Sequence, residues 1–479
     1  MRSHITLSTF FLSLLLPHSP ALSPTTFVIL GGTGRIGTAI ASHLLLRTKE
    51  EEKPIQIILV GRDEQRGHSA VQEVLQEQSS SSSTSTATTA TSNVLFEKAD
   101  WKNQTQLQTI VSMADCLIHT AGPYLDELPG PLQEAIASDR CKAYVDVSDP
   151  LEFLEASLHK FEEAKESGTS ALIAAGAFPG MSNVLAMEAA SAIRNGRTSD
   201  EKDIIKDVRF NYFTAGLGGS GDVNLFITNI GFGEPQVQFE NGALRFYQAL
   251  SGLLLGKVNF FLPESDILEN PQMSHENRKA QARIGTQTVF AWPFPEAATV
   301  ARQLEITGES SAAMGTAPDL WNTMLGILVS LVPRPLWRSR RFSKWMADFS
   351  QPLVKLTDGL LKLTSPDNVG ETHAMRVDVT GINGNVVSCV QAHESFRRCV
   401  GQSCAEFALD LLRYPSPGVY LPEQRYEEDP PRMRIIEKLT NTPGTIAYTG
   451  PAFVKSVPSP TKMREALHKA NELELEMTK

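Results

Sequence analysis

Residues 27–37 read FVILGGTGRIG, a short apolar run followed by glycines at positions 31, 32, 34 and 37. A helix-like stretch then continues to Arg47. This order predicts a first strand, a tight turn and the helix of a dinucleotide-binding unit. Glycine permits positive φ angles and a close backbone approach to a pyrophosphate, which the start of a helix attracts. The same turn also occurs without a ligand, but its place where a Rossmann domain would begin favours a nicotinamide nucleotide. The predicted contacts are Gly31, Gly32, Thr33, Gly34, Arg35, Ile36 and Gly37.

The next apolar run indicates which nucleotide binds. Ile55–Val60 is a natural second parallel strand, and Gly61, Arg62 and Asp63 follow it directly. Sites that prefer NAD usually carry an acidic side chain here, for the ribose 2′-hydroxyl. A guanidinium instead suits the 2′-phosphate of NADP. We therefore predict NADP(H) as cofactor, the alternative being that Arg62 is a solvated surface residue.

Further strand patterns alternate with helical ones, which predicts a doubly wound parallel sheet. Asp100 follows the third strand, where an adenine ring would lie, and Ala121, Gly122 and Pro123 follow the fourth, where the nicotinamide ribose would lie. A helix whose apolar residues run from Leu151 to Phe161 is predicted to end at Gly168. The predicted third to sixth strands are Val94–Phe96, 116–120, 143–147 and Ala171–Ala175.

Composition and charge limit the class of protein and the partners that the chain can have. The 479 residues are 41% hydrophobic and 20% charged, as expected for a globular protein of two domains. A formal net charge of −10 argues against nucleic acid as a partner. The five cysteines form no C-x-x-C, and no H-E-x-x-H occurs, so no metal site is predicted.

The domain prediction assigns every part of the chain. Residues 1–24 resemble a secretory or organelle presequence, the alternatives being an extension without such a role and a cytoplasmic protein. Residues 25–190 are the Rossmann-like domain, interrupted by a low-complexity insertion at 79–92 that is expected to be disordered. Residues 191–425 form an α+β domain, and residues 426–479 a C-terminal extension with a terminal helix.

Several motifs in a fixed order carry a family resemblance: GGTGRIG, then HTAGPY at 119–124, YVDVSD at 144–149 and AGAFPGMSN at 175–183. Together they resemble the saccharopine dehydrogenase-like family. YFTAGLGGSG at 212–221 is similar to the plastid-associated plant and algal members. The resemblance implies a Rossmann domain, a second domain for substrate binding and homodimer formation, a late helix at 400–413 that packs back on the first domain, and a plastid location. It does not establish saccharopine as the substrate, because one fold hosts many functions.

Three residues, His119, Tyr124 and Asp146, are candidates for catalysis. His119 at the end of the fourth strand is a candidate acid or base, or else a buried histidine. Tyr124 is a candidate pocket contact. Asp146, like Asp149, is a candidate ligand contact or a helix cap.

The substrate contacts are predicted where the two domains meet. Asn183, in a glycine- and proline-rich turn before a helix, is predicted to bind substrate or to belong to a hinge. Gly219 and Ser220 lie in a glycine-rich loop that is predicted either to close over a small-molecule substrate or to form a flexible bend.

A basic and aromatic segment forms a separate feature. Residues 334–345 read RPLWRSRRFSKW and follow an apolar run. The segment is predicted either to touch an anionic membrane surface or to cover the second domain. The sequence therefore predicts an oxidoreductase that transfers hydride between NADP(H) and a carbonyl or imine. The alternative is a catalytically silent NADP-binding module on a membrane or lipid surface.

Overall fold

A computed structural model describes residues 24–51, 54–80, 93–196, 203–216, 222–240, 242–249, 251–253, 255–268, 274–364 and 371–455. Several predicted features lie outside these residues: residues 1–23 of the predicted presequence at 1–24, most of the insertion (81–92), Gly219, Ser220 and the predicted terminal helix. In the described part, no helix combines the length and the hydrophobicity needed to cross a membrane.

The first half of the chain alternates strands with helices. The order is β1 (Thr25–Leu30), α1 (Arg35–Glu51), β2 (Ile55–Gly61), α2 (Glu64–Ser80), β3 (Asn93–Lys98), α3 (Gln104–Val111), β4 (Cys116–His119), α4 (Gly130–Ala137), β5 (Ala143–Asp146), α5 (Leu151–Leu158), α6 (Phe161–Ser167), β6 (Ser170–Leu172) and α7 (Met181–Asn195). The helix predicted to end at Gly168 is therefore two helices, with a break at His159 and Lys160.

The second half contains longer strands and a helical layer. The order is β7 (Ile205–Ala215), α8 (Asp222–Gly231), β8 (Gln236–Glu240), β9 (Ala243–Tyr247), β10 (Leu255–Asn259), α9 (Ser274–Arg283), β11 (Thr286–Ala291), α10 (Glu296–Leu304), β12 (Glu309–Ala317), α11 (Asp319–Leu331), α12 (Arg334–Trp337), α13 (Arg340–Thr364), β13 (His373–Gly381), β14 (Val386–His393), α14 (Phe396–Arg413), β15 (Gly418–Tyr420), α15 (Pro422–Arg425), α16 (Pro431–Thr440) and β16 (Thr445–Val454).

A seven-stranded parallel sheet confirms the predicted Rossmann-like class. Its strand order is β15-β6-β5-β4-β1-β2-β3. β1 pairs with β2 on one side and β4 on the other, so the strand order reverses at β1. Crevices that bind ligands form at the carboxyl ends of the strands at this kind of reversal. The sheet is buried on both faces, which explains the continuous apolar runs of β1 and β2.

The second sheet is mixed and belongs to the predicted α+β domain, with the order β10-β11-β12-β7-β13-β14-β16, and β8 attaches to β12. Helix α7 packs against β13 and β14. One continuous cluster of buried hydrophobic residues joins α1, the first sheet, α7 and the second sheet. The two domains therefore share a core.

The late helix α14 returns to the first domain and packs along α1. A Cβ on Gly401 would lie 2.7 Å from the Cβ of Ala39, so glycine permits the close approach of the two helices. His43 and Arg47 of α1 both contact Oε1 of Glu406, each at 2.8 Å. Buried apolar contacts and a buried ion pair thus hold α14 in place.

The last part of the chain differs from the predicted division at residue 425. β15 joins the first sheet beside β6, and β16, from the predicted extension, joins the second sheet beside β14. β15 has only three residues, too few for a pattern. β16 contains Gly450 and Pro451, which usually interrupt a strand, but proline is tolerated because β16 lies at the edge of the sheet.

Candidate nucleotide-binding site

A cavity of about 570 Å³ lies at the carboxyl ends of β1, β2 and β4, where the strand order reverses. Phe396 and Arg397, the first residues of α14, also line it. The structure brings together every predicted cofactor contact except Gly32. The lining includes Gly31, Thr33, Gly34, Arg35, Ile36, Gly37, Arg62, Asp100, Ala121, Gly122 and Pro123.

The three glycines of G-x-G-x-x-G meet different surroundings. A Cβ on Gly32 would lie 2.8 Å from the Cα of Leu59, and one on Gly37 would lie 2.6 Å from the Cα of Gly32. Both positions therefore require glycine for packing within the protein. A Cβ on Gly34 would meet only the Gly31 carbonyl oxygen, at 3.1 Å. The space beside Gly34 opens into the cavity, which fits a turn that admits a phosphate group.

The amides of the first turn of α1 complete this phosphate cradle. The first hydrogen bond along α1 runs from the Thr38 amide to the Gly34 carbonyl, at 2.9 Å. The amides of Arg35, Ile36 and Gly37 precede it, as the first amides of any helix do. They carry the positive end of the helix dipole at the cavity wall.

Cationic side chains outnumber carboxylates in the cavity wall, which therefore suits an anionic ligand. Asp100 and Glu127 are the lining acids among the described residues. The lining cations are Arg35, Arg62, Arg66, Lys102 and Arg397.

Two of these cations lie next to each other at the end of β2. Arg62 and Arg66 are exposed, and Arg66 Nε donates to the Thr33 carbonyl at 3.3 Å. Asp63 caps α2 by accepting the Arg66 amide at 2.8 Å and does not line the cavity. The side chains that face the expected ribose are therefore guanidinium groups and not a carboxylate.

Sequence reasoning missed several lining residues. Arg66 lies one helical turn after Arg62, so its position offered a signal. Trp101 and Lys102 follow the predicted Asp100 directly. Phe396 and Arg397 come from the other end of the chain, and no local pattern predicts them. Arg35 pairs with Glu371, and Arg397 lies 3.7 Å from the same carboxylate, so these ion pairs join the two domains beside the cavity.

His119 does not line the cavity. Its ring is fully buried between the edges of Trp101 and Tyr124, each with its centroid 5.0 Å away. Neither ring nitrogen has a hydrogen-bond partner among the described residues. Burial, with a smaller contribution from Lys102, lowers the pKa of His119 to about 3. The ring is neutral at pH 7, and this geometry corresponds to the alternative of a buried histidine.

Tyr124 is also buried outside the cavity, and its side chain supports the backbone beside it. Its hydroxyl donates to the His119 carbonyl at 2.7 Å, and its φ angle is 63°. A Cβ on Gly122 would lie 3.0 Å from the tyrosine ring, so the ring fixes the path of the 121–123 backbone. Burial raises the pKa of Tyr124 well above its usual value.

Asp146 is fully buried and holds the ends of β5 and β6 together. It accepts hydrogen bonds from the Tyr144 hydroxyl, from the Ser148 amide and hydroxyl, and from the Ala174 amide. Burial raises its pKa, and these four donors oppose the shift. Asp149 does not line the cavity either, and burial raises its pKa to about 6.

Asn183 lies outside the cavity, in a buried polar cluster between the domains. Its side chain accepts the Gly180 amide at 2.9 Å and donates to Glu423 at 2.7 Å. Nearby, the Tyr212 hydroxyl donates to Glu296, whose pKa burial raises to about 8. Asn183 thus caps α7 and ties it to α15, which corresponds to the hinge alternative.

Aromatic side chains fill the space between this cluster and the cavity. The Phe178 ring stacks on Tyr212 at 4.2 Å and contacts His373 and Phe396, each at 5.1 Å. A second cavity, of about 70 Å³ and mostly apolar, lies in the second domain beside Thr214 and Trp292. The Phe396 ring therefore connects the wall of the large cavity to the second domain.

No protein-family model and no curated protein match the sequence. Among solved structures, the apo saccharopine dehydrogenase (L-Glu forming) of Saccharomyces cerevisiae aligns over 90% of this chain and 99% of its own, at 10% identity and a TM-score of 0.51. The fold is therefore saccharopine dehydrogenase-like, a fold found in an oxidoreductase, and the resemblance read from the motifs is confirmed at the level of the fold.

Two other solved structures align with lower scores. A super-repressor mutant of Gal80p from Saccharomyces cerevisiae aligns over 94% of this chain and 97% of its own, at 9% identity and a TM-score of 0.34. An NADPH-dependent quinone oxidoreductase from Escherichia coli, complexed with NADPH, aligns over 43% of this chain and 64% of its own, at 14% identity and a TM-score of 0.22.

Proposed function

We propose that this chain is an oxidoreductase that binds NADP(H) in the large cavity and transfers hydride to or from a carbonyl or imine substrate. The observation that carries the proposal is the contrast among the three glycines. Gly32 and Gly37 are required by packing, whereas the space beside Gly34 belongs to the cavity. An open glycine beside helix amides is the arrangement that brings a backbone close to a pyrophosphate.

The cations support NADP(H) as the nucleotide. Arg62 and Arg66 lie at the end of β2, where the 2′-position of the adenosine ribose is held in this fold. Two guanidinium groups suit a phosphate, since each offers paired N–H donors. The bound nucleotide would supply the hydride chemistry, while the glycine turn and the first turn of α1 would hold its pyrophosphate.

The nicotinamide end is expected beside residues 120–123, close to Phe396. Tyr124 fixes that backbone, and Phe396 covers the cavity from the second domain. A substrate is expected to enter between the domains at this point, where Phe396 lines the cavity. We assign no catalytic acid or base, since His119, Tyr124 and Asp146 are all sealed from the cavity.

The test is a fluorescence titration of the full chain with NADPH and with NADH. We expect tighter binding of NADPH, and an Arg62→Glu variant is expected to lose about 10-fold to 100-fold in NADPH affinity, with a smaller effect on NADH. Arg283→Glu, an exposed charge reversal outside the cavity, is the matched control. Absence of binding for both nucleotides would overturn the proposal.

The burial of all three candidate residues favours a second function, a nucleotide-binding module without catalysis. The two functions separate in an assay of NADPH oxidation against a panel of aldehydes, ketones and amino-acid-derived imines. Turnover that Gly34→Val abolishes would exclude the silent module. Tight NADPH binding without turnover of any of these substrates would favour it.

A further inference from the structure

The first part of the segment 334–345 contacts the protein itself, whereas Arg341, Lys344 and Trp345 at its end are exposed. Trp337 is only 1% exposed and packs against Phe232 at 5.3 Å. Arg334 donates to the Phe232 carbonyl at 2.8 Å, and Arg338 to the Gly233 carbonyl at 2.7 Å. Arg340 binds Asp126 of the first domain at 2.5 Å. Most of the segment therefore serves as cover for the second domain.

The helix that follows carries a different feature, an apolar row that points into solvent. We call it the α13 stripe and define it as Trp345, Phe349, Leu353 and Leu356. Trp345 is 56% exposed and Phe349 is 70% exposed, and their rings stack at 5.6 Å. The spacing i, i+4, i+8, i+11 places all four side chains on one face of a helix.

The stripe is not the face that α13 buries in the protein. That face carries Ala347 and Val354, which pack with Leu225 of α8 and Trp321 of α11 in one core cluster. At 100° per residue, the buried face lies roughly opposite Trp345. The helix is therefore apolar on two sides, and within the described part of the chain only the side with Ala347 and Val354 belongs to a buried cluster.

Cations follow one edge of the stripe. Arg341, Lys344 and Lys355 are exposed and lie about 40–100° around the helix from Trp345. Asp348 lies in the same row and pairs with Lys344 at 3.1 Å. A basic row is notable in a chain with a formal net charge of −10. An apolar face that carries Trp and Phe and has a cationic edge is the pattern of a helix that lies in a lipid interface.

A neighbouring helix adds to the exposed apolar surface. α11 shares its core clusters with α13 and exposes Leu320, Ile327 and Leu331 at helical spacing. Leu331 is 76% exposed. Large exposed apolar side chains thus occur on two helices that share core clusters.

We propose that the α13 stripe docks this protein on an anionic lipid bilayer, with Trp345 and Phe349 in the headgroup region and Arg341, Lys344 and Lys355 against the lipid phosphates. Charge decides between a bilayer and a second copy of the chain. Asp348, the carboxylate in this row, is already paired with Lys344, so a contact of one stripe with another offers Arg341 and Lys355 no free carboxylate from that row. Anionic headgroups supply negative partners, and the contact does not depend on nucleotide binding.

The experiment is flotation of the full chain with phosphatidylcholine vesicles, with or without phosphatidylserine. We expect flotation only with phosphatidylserine, and loss of it at high salt. The double variant Trp345→Glu/Phe349→Glu is expected to lower partitioning about 100-fold, because two aromatic side chains no longer enter the interface. Arg341→Gln and Lys355→Gln should each lower it about fivefold.

The matched controls carry the same changes on other surfaces. Phe246→Glu/Met433→Glu alters two exposed apolar side chains, and Lys142→Gln and Lys206→Gln remove exposed cations. These variants should float like the unaltered chain. Phe349→Ser is a milder second variant if the double change impairs folding.

The proposal is overturned by absence of flotation, or by flotation of the double variant at the level of the unaltered chain. It is also overturned if the chain sediments as a dimer that the double variant dissociates while neither floats, since the stripe would then be an interface between copies.

Discussion

The Cα of Gly32 would lie 2.6 Å from a Cβ placed on Gly37, so the turn and the first helix touch at a distance that only glycine at position 37 allows. Gly37→Ala is expected to destabilise the protein by about 2–3 kcal/mol, because the added methyl group overpacks a rigid backbone contact. The measurement is urea unfolding. An unchanged free energy of unfolding would contradict the contact.

Gly34 provides the complementary prediction, because the space beside it opens into the cavity. Gly34→Val is expected to leave the free energy of unfolding within about 1 kcal/mol of its original value and to weaken NADPH binding at least about 100-fold. Thermal unfolding and the NADPH titration measure the two effects separately. Binding that survives Gly34→Val would place the nucleotide elsewhere.

The contacts of Glu406 between α1 and α14 lead us to expect that its removal lowers both the stability of the protein and its affinity for NADPH. Glu406 is 5% exposed in its side chain and contacts His43 and Arg47. Glu406→Leu is expected to cost about 3 kcal/mol, because it removes the buried carboxylate that both side chains contact. NADPH affinity should also fall, since Phe396 and Arg397 begin the same helix.

Glu437→Leu, an exposed change on α16, is the matched control and should alter neither quantity. If Glu406→Leu lowered stability but left NADPH affinity unchanged, the position of α14 would not affect nucleotide binding in the cavity.

Because His119 is buried, we expect the folded protein to lose stability at acidic pH. Its pKa is lowered from 6.5 in the unfolded chain to about 3 in the folded protein. The unfolded state therefore binds more protons between these two values, and stability is lost as the pH falls from about 6.5 towards 3. The contribution is at most about 1.4 kcal/mol per pH unit.

His119→Phe keeps an aromatic ring against Trp101 and Tyr124 and removes this titration. Urea unfolding at a series of pH values from 7 to 4 should show a smaller loss of stability in the variant than in the unaltered chain. Equal losses in both proteins would show that His119 is accessible to protons in the folded state.

The first domain was predictable because its signals are local. The glycine turn, the apolar runs of β1 and β2 and Arg62 are each legible within about ten residues, and all of them lie where the sequence placed them. The assignment of His119 as a possible acid or base was not decidable from sequence. Its burial depends on Trp101 and Tyr124, which contact it from two loops.

Long-range packing accounts for most of what the sequence did not predict. Arg397 reaches the cavity only because α14 returns to α1, and β16 is a strand only because β14 offers it an edge. In sequence, Trp337 stands beside several arginines, in a segment predicted either to touch a membrane or to cover the second domain. It is buried because the Phe232 and Gly233 carbonyls accept those arginines.

Glu296 gives a pH dependence of the opposite sign. Burial raises its pKa from 4.5 to about 8, so the folded state binds the additional proton between these values. Its stabilising contribution is complete below pH 4.5 and is lost as the pH rises through about 8. Glu296→Gln keeps a hydrogen-bond partner for Tyr212 and does not titrate, so its advantage over the unaltered chain should grow between pH 5 and 9 by about 1.4 kcal/mol per unit at most. Urea unfolding over this range measures the difference. A constant difference would mean that the pKa of Glu296 is the same in the folded and the unfolded chain.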